Sequence, residues 1–444
     1  MKNNLLSNSK WLFLAVFFMA VSACTGLKAA PTAMPAATVV SNVSKTALSP
    51  VILPTPSSTP VVTKVDNTCW NVNDFIETRP NIENGLVYYD DDQKQNMLLN
   101  LGSLEKNELN DFSNSSIISP DGSVFINMNY DENELVITSA TGSKSFQIPA
   151  DVYFGGFLSN NQIRLAVQRS EFDNYVEGKG TTDKFYVLSL SSGDLTPFSV
   201  WLPYFYTNIP YLTRIQTHIS SNDEYIVYSS DLNYVLYSSS PPNGWNILFD
   251  LKTSQIVWSG GQPYDSRHVR VPSWKPDGSA FTLVLPNNDA RFLDFHNIDT
   301  AGNDVQLTFI EKTLGESYSL NTWNTPQWSY DGRYMAFTLS SGTKRSLFIY
   351  DSQTDTLIDP CLSEDLNESL RIYVPLYWSP TKDQLALTMG GKAHWKWVDP
   401  SVDKADFIVD VKPDLLVLDI TSREIYKFPE KTVSLFGWLS WETP

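Results

Sequence analysis

Three cysteines and four histidines in 444 residues leave little material for a metal cluster or a disulfide-dense scaffold. His218, His268, His296 and His394 are scattered, with no metal-ligand spacing. There is no Gly-x-Ser-x-Gly nucleophile elbow and no Gly-rich phosphate loop. We therefore assign no catalytic residue, no cofactor and no metal. Trp11 to Val21, an apolar run, is too short to cross a bilayer. No long amphipathic helical pattern appears. Basic residues are also scarce: 32 Lys and Arg stand against 49 Asp and Glu, for a net charge of −17. Without a clustered basic patch, such a chain repels nucleic acid and does not adhere by itself to anionic lipid.

What the chain does have is a repeated turn. Six copies align: Ser119-Pro120-Asp121-Gly122, Ser159-Asn160-Asn161-Gln162, Ser220-Ser221-Asn222-Asp223, Lys275-Pro276-Asp277-Gly278, Ser329-Tyr330-Asp331-Gly332 and Ser379-Pro380-Thr381-Lys382. Their first residues are 40, 61, 55, 54 and 50 apart. A period of this size means an array, a propeller or a solenoid. Ser at the first position, Pro at the second and Gly at the fourth suit a type I turn. Each turn leads into a short apolar run, such as Met335-Ala336-Phe337 or Leu385-Ala386-Leu387. Apolar residues at consecutive positions mark a strand covered on both sides, as in a sheet stacked between two others. Trp274, Trp328 and Trp378 precede three of the turns, and Trp438 stands in the same context. Because their position repeats with the fold, we read them as packing between sheets rather than as a ligand platform.

Trp328-Ser329-Tyr330-Asp331-Gly332, then Met335-Ala336-Phe337, then a strand ending at Tyr350-Asp351 resembles the blade of TolB-like, WD-type β-propellers of exported bacterial proteins. The resemblance runs from about Gly85 to the C-terminus. It implies an all-β fold of four-stranded antiparallel blades, and it carries little about function, since propellers serve as binders, scaffolds and enzyme appendages. Counting inner strands gives seven blades, with six or eight as alternatives. The last inner strand, Val433 to Leu439, has no chain left to complete its sheet. We expect it to join the hairpin of Gly85–Tyr89 and Met97–Leu101, so that both ends of the chain close one blade and remove the edges an open ring would expose.

Three segments precede or form this domain. Residues 1–23 carry Lys2 and Lys10 ahead of an apolar run, which leads into Val21-Ser22-Ala23-Cys24. This resembles the signal peptide and lipobox of bacterial lipoproteins, with Cys24 as the lipidated residue, and implies an extracytoplasmic protein held to the bacterial membrane. Residues 24–66 are rich in Pro, Ala, Ser and Thr, without an aromatic or an acid up to Val65. Such a segment cannot bury enough surface to fold and reads as a disordered linker. The propeller then takes residues 67–444, and we expect a monomer. Cys69 and Cys361 remain, as one disulfide or as two separate thiols.

A binding surface is expected on one side of the ring. The short turns would all lie on one face, and the loops from second to third strand and from blade to blade on the other. That second face carries the long insertions, roughly 169–183, 201–211, 230–245, 311–324, 360–371 and 389–413. Their aromatics Trp201, Tyr204, Tyr206, Trp245, Trp323, Trp395 and Trp397 are the candidate ligand-binding residues, for an unidentified protein or glycan. His394-Trp395-Lys396-Trp397 reads either as a surface that stacks on a sugar or peptide, or as one alternating strand or a loop clip. Asp90-Asp91-Asp92 reads as a hairpin cap rather than a calcium site, and Asp399, Asp403, Asp406 and Asp410 match no calcium-loop spacing. The competing readings are an enzyme on polysaccharide or peptide, whose paired carboxylates would come from distant blades, and an accessory part of an envelope complex.

Overall fold

A computed structural model describes residues 64–75, 84–90, 92–113, 115–150, 152–167, 181–202, 225–229, 232–238, 246–260, 273–286, 293–307, 314, 318–320, 326–365, 376–399, 404–432 and 434–441. Residues 1–63, which hold the expected leader, Cys24 and most of the expected linker, lie outside them. Every element among the described residues that forms a sheet is a β-strand, and the strands assemble seven blades. In chain order the innermost strands are Ile117–Ile118, Val152–Ser159, Tyr225–Tyr228, Ser273–Trp274, Gln327–Trp328 and Leu376–Trp378 for blades 2 to 7, and Leu435–Leu439 for blade 1. Blade 1 is composite. Its inner strand comes from the C-terminus, and Gly85–Asp90, Gln95–Asn100 and Lys106–Glu108 complete it antiparallel.

The ring holds together because each blade is apolar on both sides. In Tyr334–Ser341 of blade 6, Met335 and Phe337 pack toward blade 5 while Ala336 packs toward blade 7. Seven buried clusters fill the seven gaps between blades, including the gap where blade 7 meets blade 1. Three of the repeating tryptophans also stitch neighbours. Trp328 Nε1 donates to Thr282 Oγ1 (3.1 Å), Trp378 Nε1 to the Gln327 carbonyl (2.9 Å) and Trp438 Nε1 to the Tyr377 carbonyl (2.8 Å). Each bond crosses to the preceding blade, so an indole buried for its area also satisfies its one donor.

The turns explain their own sequence. Ser119 N–H donates to the Val124 carbonyl, Gly122 N–H to the Ser119 carbonyl, and Ser119 Oγ to Asp121 Oδ1 at 2.7 Å. Ser329 repeats this with Tyr334, Gly332 and Asp331. The fourth position takes a left-handed backbone, φ 68° at Gly122 and 71° at Gly332, which favours glycine. Blade 4 departs from the expected register. Its equivalent turn begins at Ser229, not Ser220: Ser229 N–H donates to the Tyr234 carbonyl, and Leu232 takes the left-handed position at φ 57°. Tyr225–Tyr228 is thus the inner strand, and Tyr234–Ser238, expected inside an insertion, is the second strand. A turn without Pro or Gly hid the match, because the geometry is set by backbone and Ser hydrogen bonds that other residues also permit.

The segment ahead of blade 1 is a strap on the outside of the ring. Lys64–Asp66, expected as the end of the linker, adds parallel to Thr356–Ile358, the outer strand of blade 6. Cys69 is disulfide-bonded to Cys361. Trp70 then inserts between blades 6 and 7. Asn71–Asp74 adds parallel to Glu424–Lys431, the outer strand of blade 7, and Phe75 inserts between blades 7 and 1, stacked on Phe428 at 4.1 Å.

Candidate functional site

The two faces of the ring differ. At the centre of the turn face, Asn160 Nδ2 of blade 3 donates to Tyr330 Oη of blade 6 at 3.4 Å. Blades 3 and 6 are three places apart, so this contact crosses the mouth of the central channel. Tyr330 is the residue that replaces Pro in its turn, and it is 46% exposed. Access to the ring interior from this side is therefore narrowed.

On the insertion face the outstanding element is a two-stranded ribbon, Lys392–Asp399 paired with Lys404–Val411, inserted between the second and third strands of blade 7. Its register sets Trp395 opposite Phe407 and Trp397 opposite Ala405, alternating with His394 opposite Ile408 and Lys396 opposite Asp406. Strand alternation thus assigns the two Trp positions and Phe407 to one side of the ribbon, and Lys396 with Asp406 to the other.

Both strands of the ribbon are anchored at its base. At the start, Gly390 N–H donates to Glu364 Oε2 at 2.8 Å, and the other oxygen of Glu364 holds the guanidinium of Arg345. Arg345 is only 1% exposed, so this ion pair is a buried post between blades 6 and 7. Where the second strand leaves the ribbon, Lys412 Nζ meets Asp92 Oδ1 at 2.7 Å, on the hairpin tip of blade 1. Blade 6 supports the same region with extra strands: Tyr318–Leu320 pairs with Tyr334–Ser341 and Ser363–Asp365 with Lys344–Asp351. The loops between blades are here drawn into the sheet.

Of the sequence candidates, Trp395 and Trp397 lie together on the ribbon. Trp201 lies in Leu195–Leu202, the outermost strand of blade 3, three places from blade 7, and the backbone does not bring it to the ribbon. The side chains of these three are outside the described residues, as are Tyr204, Tyr206, Trp245 and Trp323 altogether. His394-Trp395-Lys396-Trp397 is an alternating strand, as one of its two readings had it. Asp90 caps its hairpin, accepting from the N–H groups of Asp92 and Gln93 at 2.9 and 3.0 Å. Arg345, Glu364 and Tyr330 were not foreseen. An Arg within a strand carries no sign of burial until its carboxylate partner arrives from another loop. Phe407 could have been found, since Ala405-Asp406-Phe407-Ile408-Val409 follows Trp395 and Trp397 at hairpin distance.

Titratable groups elsewhere serve the scaffold. His296 Nδ1 and Asp304 Oδ1 are 2.8 Å apart and both buried, and Gln306 Nε2 donates to Asp294 at 3.1 Å beside them. On the turn face Arg333 grips Asp351 with two bonds of 3.2 and 2.8 Å. Burial pushes the nearby Asp383 carboxyl up, reinforced by the charge of Asp331. Among the described residues no group of three or more His, Cys, Asp or Glu is placed to hold a metal ion.

No protein family and no curated protein matches this sequence. Among solved structures it is similar to an oligogalacturonate lyase from Vibrio parahaemolyticus (12% identity, 73% of this chain and 86% of that one, TM-score 0.42). It is similar to TolB from Acinetobacter baumannii (13%, 78% and 78%, 0.33). It is also similar to an acylaminoacyl peptidase in complex with a chloromethyl ketone (10%, 77% of this chain and 49% of that one, 0.44). All three are far below the similarity that would transfer an activity.

Proposed function

We propose that this protein is a membrane-anchored, extracytoplasmic β-propeller that binds a protein or glycan partner on its insertion face. The observation that carries the reading is the ribbon: an aromatic-bearing two-stranded projection, tied at its base to blade 6 through Gly390 and Glu364 and to blade 1 through Lys412 and Asp92. Paired aromatics on a rigid support bind with little loss of conformational freedom, which is how such surfaces gain affinity. Anchoring is supported by Lys2, Lys10, the apolar run and Val21-Ser22-Ala23-Cys24. Acyl chains on Cys24 would hold the protein to the membrane at about 0.8 kcal/mol per buried CH₂, and the linker would hold the propeller clear of it.

The experiment is a glycan and peptide array probed with the purified propeller and with Trp395→Ala/Trp397→Ala. We expect binding by the wild type and at least a tenfold loss in the variant at unchanged melting temperature. Equal binding by both would refute a role for the ribbon. Turnover of any arrayed polysaccharide or peptide would replace the binding reading with an enzymatic one. Cys24→Ser tests the anchor: it should move the protein from the membrane to the soluble fraction.

A further inference from the structure

We infer that the Cys69–Cys361 disulfide is a redox latch on the strap, and that reducing it releases residues 64–75 from blades 6 and 7 while the ring stays closed. Three observations lead there. The bond is on the surface: both cysteines are exposed, and exposed disulfides are the ones thiols reach. The strap it fixes lies at the outer margin of the sheets. Lys64–Asp66 and Asn71–Asp74 contribute only short parallel pairings at sheet margins, and Val72 is 60% exposed. Among its side chains, Trp70 and Phe75 pack between blades and Asp66 pairs with Arg423 at 2.7 Å. Finally, the ring does not need the strap to close. Closure is made by Leu435–Leu439 on Gly85–Asp90, and all seven inter-blade clusters are built mainly from blade residues.

The local geometry fits a latch. Cys361 takes a left-handed backbone, φ 60°, held by its N–H donating to Asp359 Oδ1 at 2.8 Å. Trp70 N–H donates to the Pro360 carbonyl at 3.3 Å and Asp359 N–H to the Asp66 carbonyl at 2.9 Å. Strap and blade 6 thus share a few bonds clustered around the sulfurs, so loss of the covalent tie loosens them together. Reduction needs a dithiol. One of its thiolates attacks one cysteine sulfur and expels the other as a thiolate. Its second thiol then resolves the mixed disulfide. Two electrons pass to the protein, the dithiol becomes a disulfide, and the cysteines take up its two protons.

Hydrogen exchange read by mass spectrometry on the full chain tests this, oxidised and after dithiothreitol, with Cys69→Ser/Cys361→Ser as the bond-free control. We expect exchange of residues 64–75 to rise at least tenfold in both the reduced and the bond-free protein, with Met335–Phe337 and Leu385–Leu387 unchanged. Unchanged strap exchange in the bond-free protein would overturn the latch, because the strap would then hold by packing alone. Faster exchange throughout the ring would overturn it too, since the bond would then be a staple of the whole domain.

Discussion

Removing residues 433–444 should unfold the ring. Leu435, Trp438 and Leu439 are 3%, 3% and 0% exposed, and burying each contributes about 1.5–3 kcal/mol. Trp438 donates to the Tyr377 carbonyl, Trp441 to the Ser123 carbonyl and Ser440 N–H to the Gly122 carbonyl, at about 1 kcal/mol each. Together these amount to about 8–12 kcal/mol, against a total stability of about 5–15 kcal/mol for a folded domain. The deletion also turns Gly85–Asp90 into an exposed edge. A milder variant grades the effect. Trp438→Phe leaves the Tyr377 carbonyl without its donor, about 1–3 kcal/mol, and the missing ring volume adds about 1 kcal/mol. In urea this should lower the midpoint by about 1 M, followed by near-UV circular dichroism with size exclusion as a check on compactness. An unmoved midpoint for Trp438→Phe, together with a cooperative, unshifted transition for the deletion, would refute closure through the C-terminal strand.

Glu364→Gln leaves the buried Arg345 charge without its carboxylate and should cost about 3–5 kcal/mol; thermal unfolding reads the loss, and faster amide exchange at Gly390 would report the freed base of the ribbon. Asp383→Asn should stabilise the protein at pH 7. Its carboxyl is pushed up in the fold, chiefly by burial, so the charged form costs stability above the folded value and nothing below the ordinary Asp value. The gain, about 1 °C in Tm, should vanish as pH falls below about 4. Asp66 behaves oppositely. The Thr68 hydroxyl bond is the main cause of its lowered carboxyl, and Arg423 adds to it. Its contribution is present above the ordinary Asp value and lost as pH falls through the folded one, so the protection of strap amides, relative to exchange of the unfolded chain at the same pH, should fall in acid.

Local order was legible in the sequence because it is written locally. The Ser-Pro-Asp-Gly turn at Ser119, the consecutive apolar triplets and the spacing of Trp274, Trp328 and Trp378 each reflect a strand's own turn and its two covered sides. They identified a ring of small sheets, its closure by Leu435–Leu439, and the packing role of the tryptophans. Blade 4 departs from the expected register because Ser229-Ser230-Asp231-Leu232 keeps the Ser and the Asp of the turn but lacks its Pro and its Gly.

What tertiary structure alone decided are the long-range partnerships. Lys64–Asp66 looks like linker because a three-residue strand on a sheet margin needs no apolar pattern; its hydrogen bonds come from Thr356–Ile358, almost three hundred residues away. Arg345 becomes a buried post only when Glu364 and Gly390 converge on it. Tyr330 crosses the channel only because blade 3 stands opposite. Periodicity records which side of a strand is covered, but not which distant residue covers it, since that depends on how the chain winds back upon itself.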